Sequence, residues 1–103
     1  MEINEPDWRI LREWHPLALE RACDNAIAEI ERELSAKKPS RERFWAVAEL
    51  VKRQQKEIAN LFDDLRRSTA LIMIAKIRHH GLLTDEEMSR FSQETQAKVR
   101  QFS

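Results

Sequence analysis

The fold depends on residues 40–80, SRERFWAVAELVKRQQKEIANLFDDLRRSTALIMIAKIRHH, which contain neither glycine nor proline. A seven-residue repeat is typical of a helix that packs along one side against another helix. Ser40 is suited to cap the start of such a helix, and His79 and His80 precede Gly81, the residue type that most often closes one. The sequence therefore predicts one long helix over residues 40–80. The side chains that recur at intervals of seven are Phe44, Val51, Ile58, Leu65 and Ile72.

Two helices are predicted before the long one. Asn4 can cap a first helix at residues 6–14, which the pair His15 and Pro16 ends, because proline disfavours helical geometry in the preceding residue. A second helix, residues 16–36, has apolar side chains at steps of three and four, which places them on one face. The members of this apolar stripe are Leu19, Cys23, Ala26, Ile27, Ile30 and Leu34.

A last helix is predicted at residues 85–102. Thr84 and Glu87 have the spacing of a capping box, in which each side chain bonds the other residue's backbone N–H. An apolar stripe follows, made by Met88, Phe91, Thr95, Val99 and Phe102. The chain has no strand-like alternation, so the sequence predicts a single all-α domain over residues 1–103.

Helix lengths then suggest a dimer. A helix of about forty residues is about 60 Å long, whereas a compact domain of about 100 residues has a radius of gyration of about 13 Å. The second and last helices can fold back on its two halves as helical hairpins, but the segment 71–77 is apolar almost all round. The predicted fold is therefore a set of helical hairpins around one central helix, forming a four-helix-type bundle through dimerisation. The predicted interface residues are Phe62, Leu65, Thr69, Ile72, Ile74 and Lys76.

The sequence leaves one alternative to this arrangement. A kink or loop near Asn60, or near Ser68 and Thr69, would divide the long helix and allow a compact monomeric four-helix bundle. The monomer would then bury the apolar segment as core.

Composition narrows the classes of function. Lys and Arg number 18, as do Asp and Glu, so a balanced charge gives no overall attraction to nucleic acid or to an anionic membrane. Residues 1–7 are acidic and lack the pattern of a signal peptide, and no apolar run approaches the length of a membrane span. Cys23 is the single cysteine, which fits a reducing compartment. These features predict a soluble cytoplasmic protein.

The residues with reactive or metal-binding side chains do not form a recognisable catalytic pattern. His15, Cys23, His79 and His80 lack the spacings that place two metal ligands on one helix face. The sequence contains no glycine-rich phosphate loop, no nucleophile motif and no Glu-x-x-His repeat. We therefore expect neither an enzyme nor a bound cofactor.

Two sets of residues predict partners. Trp8, Trp14 and Trp45 are aromatic side chains of the type enriched where proteins dock, although they can also plug the end of a hairpin. The favoured function is thus a protein-protein interaction or regulatory module that acts as a homodimer. The alternative is a small nucleic-acid-associated factor that uses the basic turn at residues 37–43, although Glu42 lies among its basic residues. The basic residues of that turn are Lys37, Lys38, Arg41 and Arg43.

Overall fold

The structure, a computed structural model, describes residues 2–102, so the two ends of the predicted 1–103 domain lie outside it. The described residues contain helices and no strand, which confirms the all-α class. Within this range none of the helices is both long and apolar enough to span a membrane. The elements are α1 (Glu5–Leu34), α2 (Ser40–Phe62), a 3₁₀ turn (Arg67–Thr69), α3 (Ala70–His79), α4 (Asp85–Met88) and α5 (Gln93–Arg100).

Helices α1 and α2 form an antiparallel hairpin, and α3 to α5 pack against one end of it. We call that end the head, residues 2–22 and 58–102, and the rest, residues 23–57, the free end of the hairpin. The described chain measures 52 × 24 × 23 Å with a radius of gyration of 16.4 Å. That radius exceeds the roughly 13 Å of a compact chain of this length, because the free end projects from the head.

The predicted break at His15 and Pro16 is wrong, since α1 runs through Pro16 as one helix of 30 residues. An internal proline removes one helical hydrogen bond and costs about 3 kcal/mol. Leu11 and Ala18 are fully buried on either side of Pro16, so an unbroken helix keeps both on the face that packs against the core. The ring of Pro16 itself faces solvent. Burial of a continuous apolar face therefore outweighs the local preference of proline.

The predicted continuous helix over residues 40–80 is also wrong, and of the alternative only the loop near Ser68 and Thr69 is confirmed, since the chain is not a compact bundle. Helix α2 ends at Phe62, and the chain turns before α3 begins at Ala70. The Thr69 hydroxyl donates to the Asp64 carbonyl at 2.7 Å and accepts from the Arg66 N–H at 3.3 Å, which closes the turn.

The turn after α2 is also tied to the start of α1. The Arg67 guanidinium donates to the Ile3 carbonyl at 3.0 Å and to the Glu5 carboxylate at 3.0 Å. These contacts join residues more than sixty positions apart, so no pattern within residues 40–80 could have shown them.

The last predicted helix, residues 85–102, is divided as well. Helix α4 ends at Met88, and α5 begins after Ser92, whose hydroxyl accepts from the Thr95 N–H and caps it. The reason for the break is a tertiary contact: the buried carboxylate of Asp7 accepts hydrogen bonds from Ser92 and Thr95. A continuous helix would withdraw the Ser92 N–H from this carboxylate.

Several predicted helix ends are correct. Asn4 caps α1 by accepting from the Asp7 N–H, and Thr84 and Glu87 form the predicted capping box. Gly81 has a φ of 71°, the left-handed conformation that closes α3. Ser40 is not a cap, because α2 begins at Ser40 itself with Pro39 before it and shows no side-chain cap there.

The apolar segment of α3 is buried within the chain. Helix α3 lies at the centre of the head, where α1, α2 and α5 surround it. Only Ile72 and Lys76 of the segment reach the surface as exposed side chains. The segment therefore needs no second chain to cover it, and it does not support a dimer. Its buried residues are Ala70, Leu71, Met73, Ile74, Ala75 and Ile77.

Candidate protein interaction surface

The two helices of the hairpin meet along a narrow strip of small side chains. Ala18, Ala22 and Ala26 recur every fourth residue of α1 and are buried, so the helices can approach closely. Leu50 is the buried residue of α2 in the free end. Gln54 donates to the Glu29 carboxylate at 3.0 Å, which fixes the level at which the two helices pair.

Each helix carries a second apolar stripe, displaced by about 90° around the helix from the strip where they meet. Those of the free end are exposed or half-buried, whereas Leu19 and Ile58 pack against the core of the head. On α1 the stripe consists of Leu19, Cys23, Ile27, Ile30 and Leu34, and on α2 of Phe44, Ala48, Val51 and Ile58.

The two stripes lie on the same side of the hairpin. Seen along each helix from its N-terminus, the second stripe is reached from the contact strip by a turn in the same direction. Because the two helices are antiparallel, equal turns place both stripes on the same side of the hairpin. A polar groove lined by Glu29, Arg32, Glu49 and Arg53 occupies the opposite side. We call the apolar side the hairpin face, made by the nine residues of the two stripes.

Much of the hairpin face is open to solvent. The exposed fraction is 52% for Ile27, 50% for Leu34 and 66% for Phe44. Cys23, Ile30 and Val51 lie between them and are half-buried. Three large apolar side chains half exposed on one side of a two-helix layer form the kind of patch that marks an interaction site.

The predicted interface residues lie elsewhere, and two of them are inaccessible. Phe62 and Ile74 are 3% and 0% exposed and belong to the core of the head, so neither can meet a partner. Leu65 and Thr69 are half-buried in and beside the turn after α2, whereas Ile72 and Lys76 are exposed on α3. The structure therefore does not bring the six residues together on one surface.

The three tryptophans do not form one surface either. Trp8 and Trp14 pack partly against the core of the head, with Arg12 over one ring and Arg90 over the other. Trp45 is 63% exposed beside Phe44 at the free end, about 30 Å further along the hairpin than Trp14. The three tryptophans therefore do not together plug the end of a hairpin. Within residues 2–102, the indole N–H of Trp14 is the buried side-chain polar group that lacks a partner.

The basic turn is partly committed to its own structure. The Arg43 guanidinium donates to the carbonyls of Leu34 and Lys38, and Lys38 pairs with Glu33 at 3.3 Å. Arg43 thus satisfies the carbonyl of Leu34, the last residue of α1, and one carbonyl of the turn. Lys37 and Arg41 are exposed.

The histidines and the cysteine are dispersed. His15 lies within 2.9 Å of the Phe62 carbonyl and meets the Phe62 ring edge-on, which ties α1 to the end of α2. His79 and His80 are exposed at the end of α3 with ring centroids 5.7 Å apart. In the part of the chain described, no three His, Cys, Asp or Glu side chains are placed to hold a metal ion.

A buried carboxylate in the head has no signal in the local sequence. Asp7 is 2% exposed and accepts hydrogen bonds from the Ser92 N–H at 3.0 Å, the Ser92 hydroxyl at 2.6 Å and the Thr95 hydroxyl at 2.5 Å. The Asn4 amide donates a fourth at 3.0 Å. Burial by itself raises the pKa of Asp7, but these hydrogen bonds outweigh it and hold the pKa below its usual value. The carboxylate joins the starts of α1 and α5.

A second ionic contact fixes α4 to α1. Arg21 donates to both oxygens of the Glu87 carboxylate at 2.7 and 2.9 Å and to the Leu82 carbonyl at 2.9 Å. The Arg21 guanidinium is the main reason why the pKa of Glu87 is lowered to about 2. Glu87 also accepts from the Thr84 N–H, so one carboxylate serves both the capping box and the tertiary contact. Both contacts position helices of the head.

Comparisons of this chain with protein-family models, with curated proteins and with solved structures found no match.

Proposed function

We propose that this protein is a helical protein-protein interaction module that acts as a homodimer, with the hairpin face as its docking surface. The observation that supports this most is the exposure of Ile27, Leu34 and Phe44 on the same side of a projecting hairpin. Two such faces packed together make a four-helix layer, a common arrangement for all-α chains. A two-fold dimer is the simplest way to pair two identical surfaces.

The apolar surface available suits a modest affinity. Burying the remaining half of one such side chain contributes about 1 kcal/mol, so three from each chain contribute about 6 kcal/mol. Association costs at least about 4 kcal/mol in lost freedom, and the half-buried members of the face add to the gain. We therefore expect a weak dimer, with a dissociation constant in the high micromolar to millimolar range.

The nucleic-acid alternative has less support from the same region. Of the four basic residues in the turn, Arg43 is occupied by backbone carbonyls and Lys38 by Glu33. Phosphate contacts would weaken steeply with added salt, whereas an apolar interface would not. Oligonucleotide binding measured at low and high salt distinguishes the two hypotheses.

The proposal is tested by the solution mass, measured by light scattering over a concentration series. We expect the mass to rise from 12.2 kDa towards twice that value as concentration increases. Ile27→Glu places a charge in the hairpin face and should keep the chain monomeric throughout. Ile72→Glu is the matched control, because Ile72 is exposed to a similar degree, 46%, but lies on α3 in the head.

The variants also separate the two candidate surfaces. If Ile72→Glu abolishes the dimer and Ile27→Glu does not, the interface lies on α3 and the hairpin face is not the docking surface. A wild-type chain that stays monomeric at every concentration contradicts the proposal altogether. Circular dichroism of each variant confirms that the helices are retained.

A further inference from the structure

Charges of opposite sign border the hairpin face on its two outer edges. The outer edge of α1 carries three acidic side chains and the outer edge of α2 three basic ones, with Glu49 beside Lys52, and all seven side chains are exposed. Within one chain these edges point away from each other, on opposite sides of the hairpin. The acidic edge consists of Glu20, Asp24 and Glu31, and the basic edge of Arg41, Lys52 and Lys56.

The pairing of α1 with α2 sets the level of these charges along the hairpin. Glu29 lies beside Gln54 at 3.0 Å and beside Arg53 at 3.7 Å. From that level both Glu31 and Lys52 are displaced towards the turn, by about 3 Å and about 2 Å, so they lie at nearly the same height. Asp24 and Lys56 are both displaced towards the head and differ by less than about one helical turn of 5.4 Å.

We infer that the occupant of the hairpin face is a second copy of this chain, oriented with α1 of one protomer against α2 of its partner and both free ends at the same end of the dimer. This inference rests on the proposed function. A two-fold axis parallel to the hairpin preserves height, so Glu31 faces the partner's Lys52 and Asp24 faces the partner's Lys56. Each pair occurs twice.

The other face-to-face arrangement places the free ends at opposite ends of the dimer. Its two-fold axis runs across the hairpin and sets α1 against the partner's α1, so acidic edge meets acidic edge and basic edge meets basic edge. Like charges across an interface oppose association, and complementary edges select between two otherwise similar apolar packings. The charge pattern therefore favours the first arrangement.

The area of the face fits a second copy. From Leu19 to Leu34 the face is about 23 Å long, and two helices are about 20 Å wide. The footprint is thus about 450 Å² per chain, or about 900 Å² in total, close to the lower limit of about 1,000 Å² for specific protein interfaces. An interface of this size gains specificity from its charged edges, because its apolar part alone is small.

Within residues 2–102, Lys52 forms one ion pair. Lys52 lies 3.7 Å from Glu49, and both side chains are about three-quarters exposed. An exposed pair of this kind contributes little, so Lys52 can turn to a partner at small cost.

Charge reversal tests the orientation. Glu31→Lys and Lys52→Glu should each weaken dimerisation about tenfold at low salt, because each brings like charges together twice. The double variant, with both reversals, should restore the wild-type dissociation constant to within about threefold. Arg100→Glu, at an exposed position in the head, is the control and should leave it unchanged. Raising the salt to about 0.5 M should reduce the differences between variants.

A distance measurement gives an independent answer. In a Cys23→Ala background, a spin label on Lys37→Cys sits in the turn that joins α1 and α2. With both free ends together, the two labels should lie within about 25 Å of each other, a separation set by helix diameters. With opposite ends, the length of the overlapping hairpins separates them by more than about 30 Å.

The outcomes of these experiments separate the inference from the proposed function. If the chain forms a dimer but the labels are distant, the inferred orientation is wrong and the proposed interaction module is not affected. The same holds if Glu31→Lys and Lys52→Glu leave dimerisation unchanged. A chain that remains monomeric gives no intermolecular distance and removes the proposed function as well. Close labels together with recovery in the double variant establish the arrangement.

Discussion

The head and the free end of the hairpin share the same two helices but differ in what surrounds them. In the head, Leu11 of α1 is fully buried beneath neighbouring helices. In the free end, Ile27 of the same helix is 52% exposed, because only α2 lies beside it. A two-helix layer can bury one strip along each helix, and a wider apolar surface stays uncovered until a third element arrives.

The sizes of the side chains on α1 distinguish the apolar strip that contacts α2 from the apolar stripe that faces solvent. Ala18, Ala22 and Ala26 face the neighbouring helix, whereas Ile27 and Leu34 point past it. Small residues permit close helix contact, and the larger ones are left for another surface. A wide apolar stripe that contains a regular run of alanines thus divides into two parts. The alanines make the contact within the chain, and the larger residues form the exposed apolar surface on which the proposed dimer rests.

The largest expected effect contrasts two isoleucines. Ile74→Ala should lower the free energy of unfolding by about 3–4 kcal/mol, because Ile74 is fully buried in the head and its removal leaves a cavity. Ile27→Ala should lower it by less than about 1 kcal/mol at concentrations where the chain is monomeric, since half of Ile27 is already in water. Urea denaturation of both variants measures the contrast.

The two positions are matched in chemistry, since both are isoleucines within helices and both gain helix propensity as alanine. Equal losses at both positions would show that a further element already covers the free end in the monomer. At high concentration the loss for Ile27→Ala should grow, because dimer stability then adds to the folding free energy.

The next largest loss of stability is expected on substitution of Asp7, whose contacts all lie within the head. Asp7→Ala should cost about 2–3 kcal/mol, because it removes the acceptor of Ser92 and Thr95 and leaves their donors in a buried site. Glu13→Ala, which removes an exposed carboxylate from the same helix, should change stability by less than about 0.5 kcal/mol. Thermal unfolding followed by circular dichroism measures both. A loss below 0.5 kcal/mol for Asp7→Ala would mean that the carboxylate does not hold α5 in place.

Acid should weaken the head by a smaller amount. The pKa values of Asp7 and Glu87 are lower in the folded chain than the usual values near 4, so the unfolded chain binds more protons as pH falls. Stability from these groups is therefore complete above about pH 5 and is lost as pH falls towards 2, where Glu87 titrates. For Glu87 we expect about 1–2 kcal/mol, because Arg21 is partly exposed.

Denaturation curves between pH 7 and pH 2.5 measure this loss. Glu87→Gln serves as the comparison, since its stability at pH 7 should be lower and its decline with acid shallower. A stability that rises as pH falls from 5 to 3 would contradict the assignment of both carboxylates.

Signals carried within a few residues were readable from the sequence. The cap at Asn4, the capping box at Thr84 and the glycine at Gly81 each depend on adjacent backbone, and all three are correct. The all-α class follows from composition and periodicity. The predicted second helix also pairs antiparallel with the first half of the predicted long one, as their matching lengths suggest, and this pairing is now α1 with α2.

The breaks in the longer helices depend on distant residues. The turn after α2 is held by Arg67 against Ile3, and the break before α5 by Asp7 against Ser92. In the same way α1 continues through Pro16 because the surfaces on both sides of it are buried. Each of these contacts joins residues that are distant in sequence, so a pattern along the chain cannot show it. The sequence therefore predicted one continuous helix at residues 40–80 and at 85–102, where the structure has two, and two helices before residue 36, where it has one. Two of the predicted interface residues, Phe62 and Ile74, are buried for the same reason, since contacts with distant parts of the chain cover them.

The smallest effect concerns how the head is closed. Gly81 is the residue with positive φ among residues 2–102, and the Leu82 N–H donates to the Ile77 carbonyl at 3.0 Å across it. This is the arrangement by which a left-handed residue satisfies the last carbonyls of a helix. The turn of the hairpin, at residues 35–39, reaches the same reversal without such a residue.

Gly81→Ala should therefore cost about 1 kcal/mol, and the cause is conformational, because a Cβ at this position would have no atom within 4 Å. Gly81→Asn should cost less, since asparagine adopts the left-handed conformation more readily than alanine. Crowding would give the opposite order, because asparagine is the larger side chain. Urea denaturation of the two variants thus distinguishes strain from packing at the point where α3 ends and the head turns back towards α1.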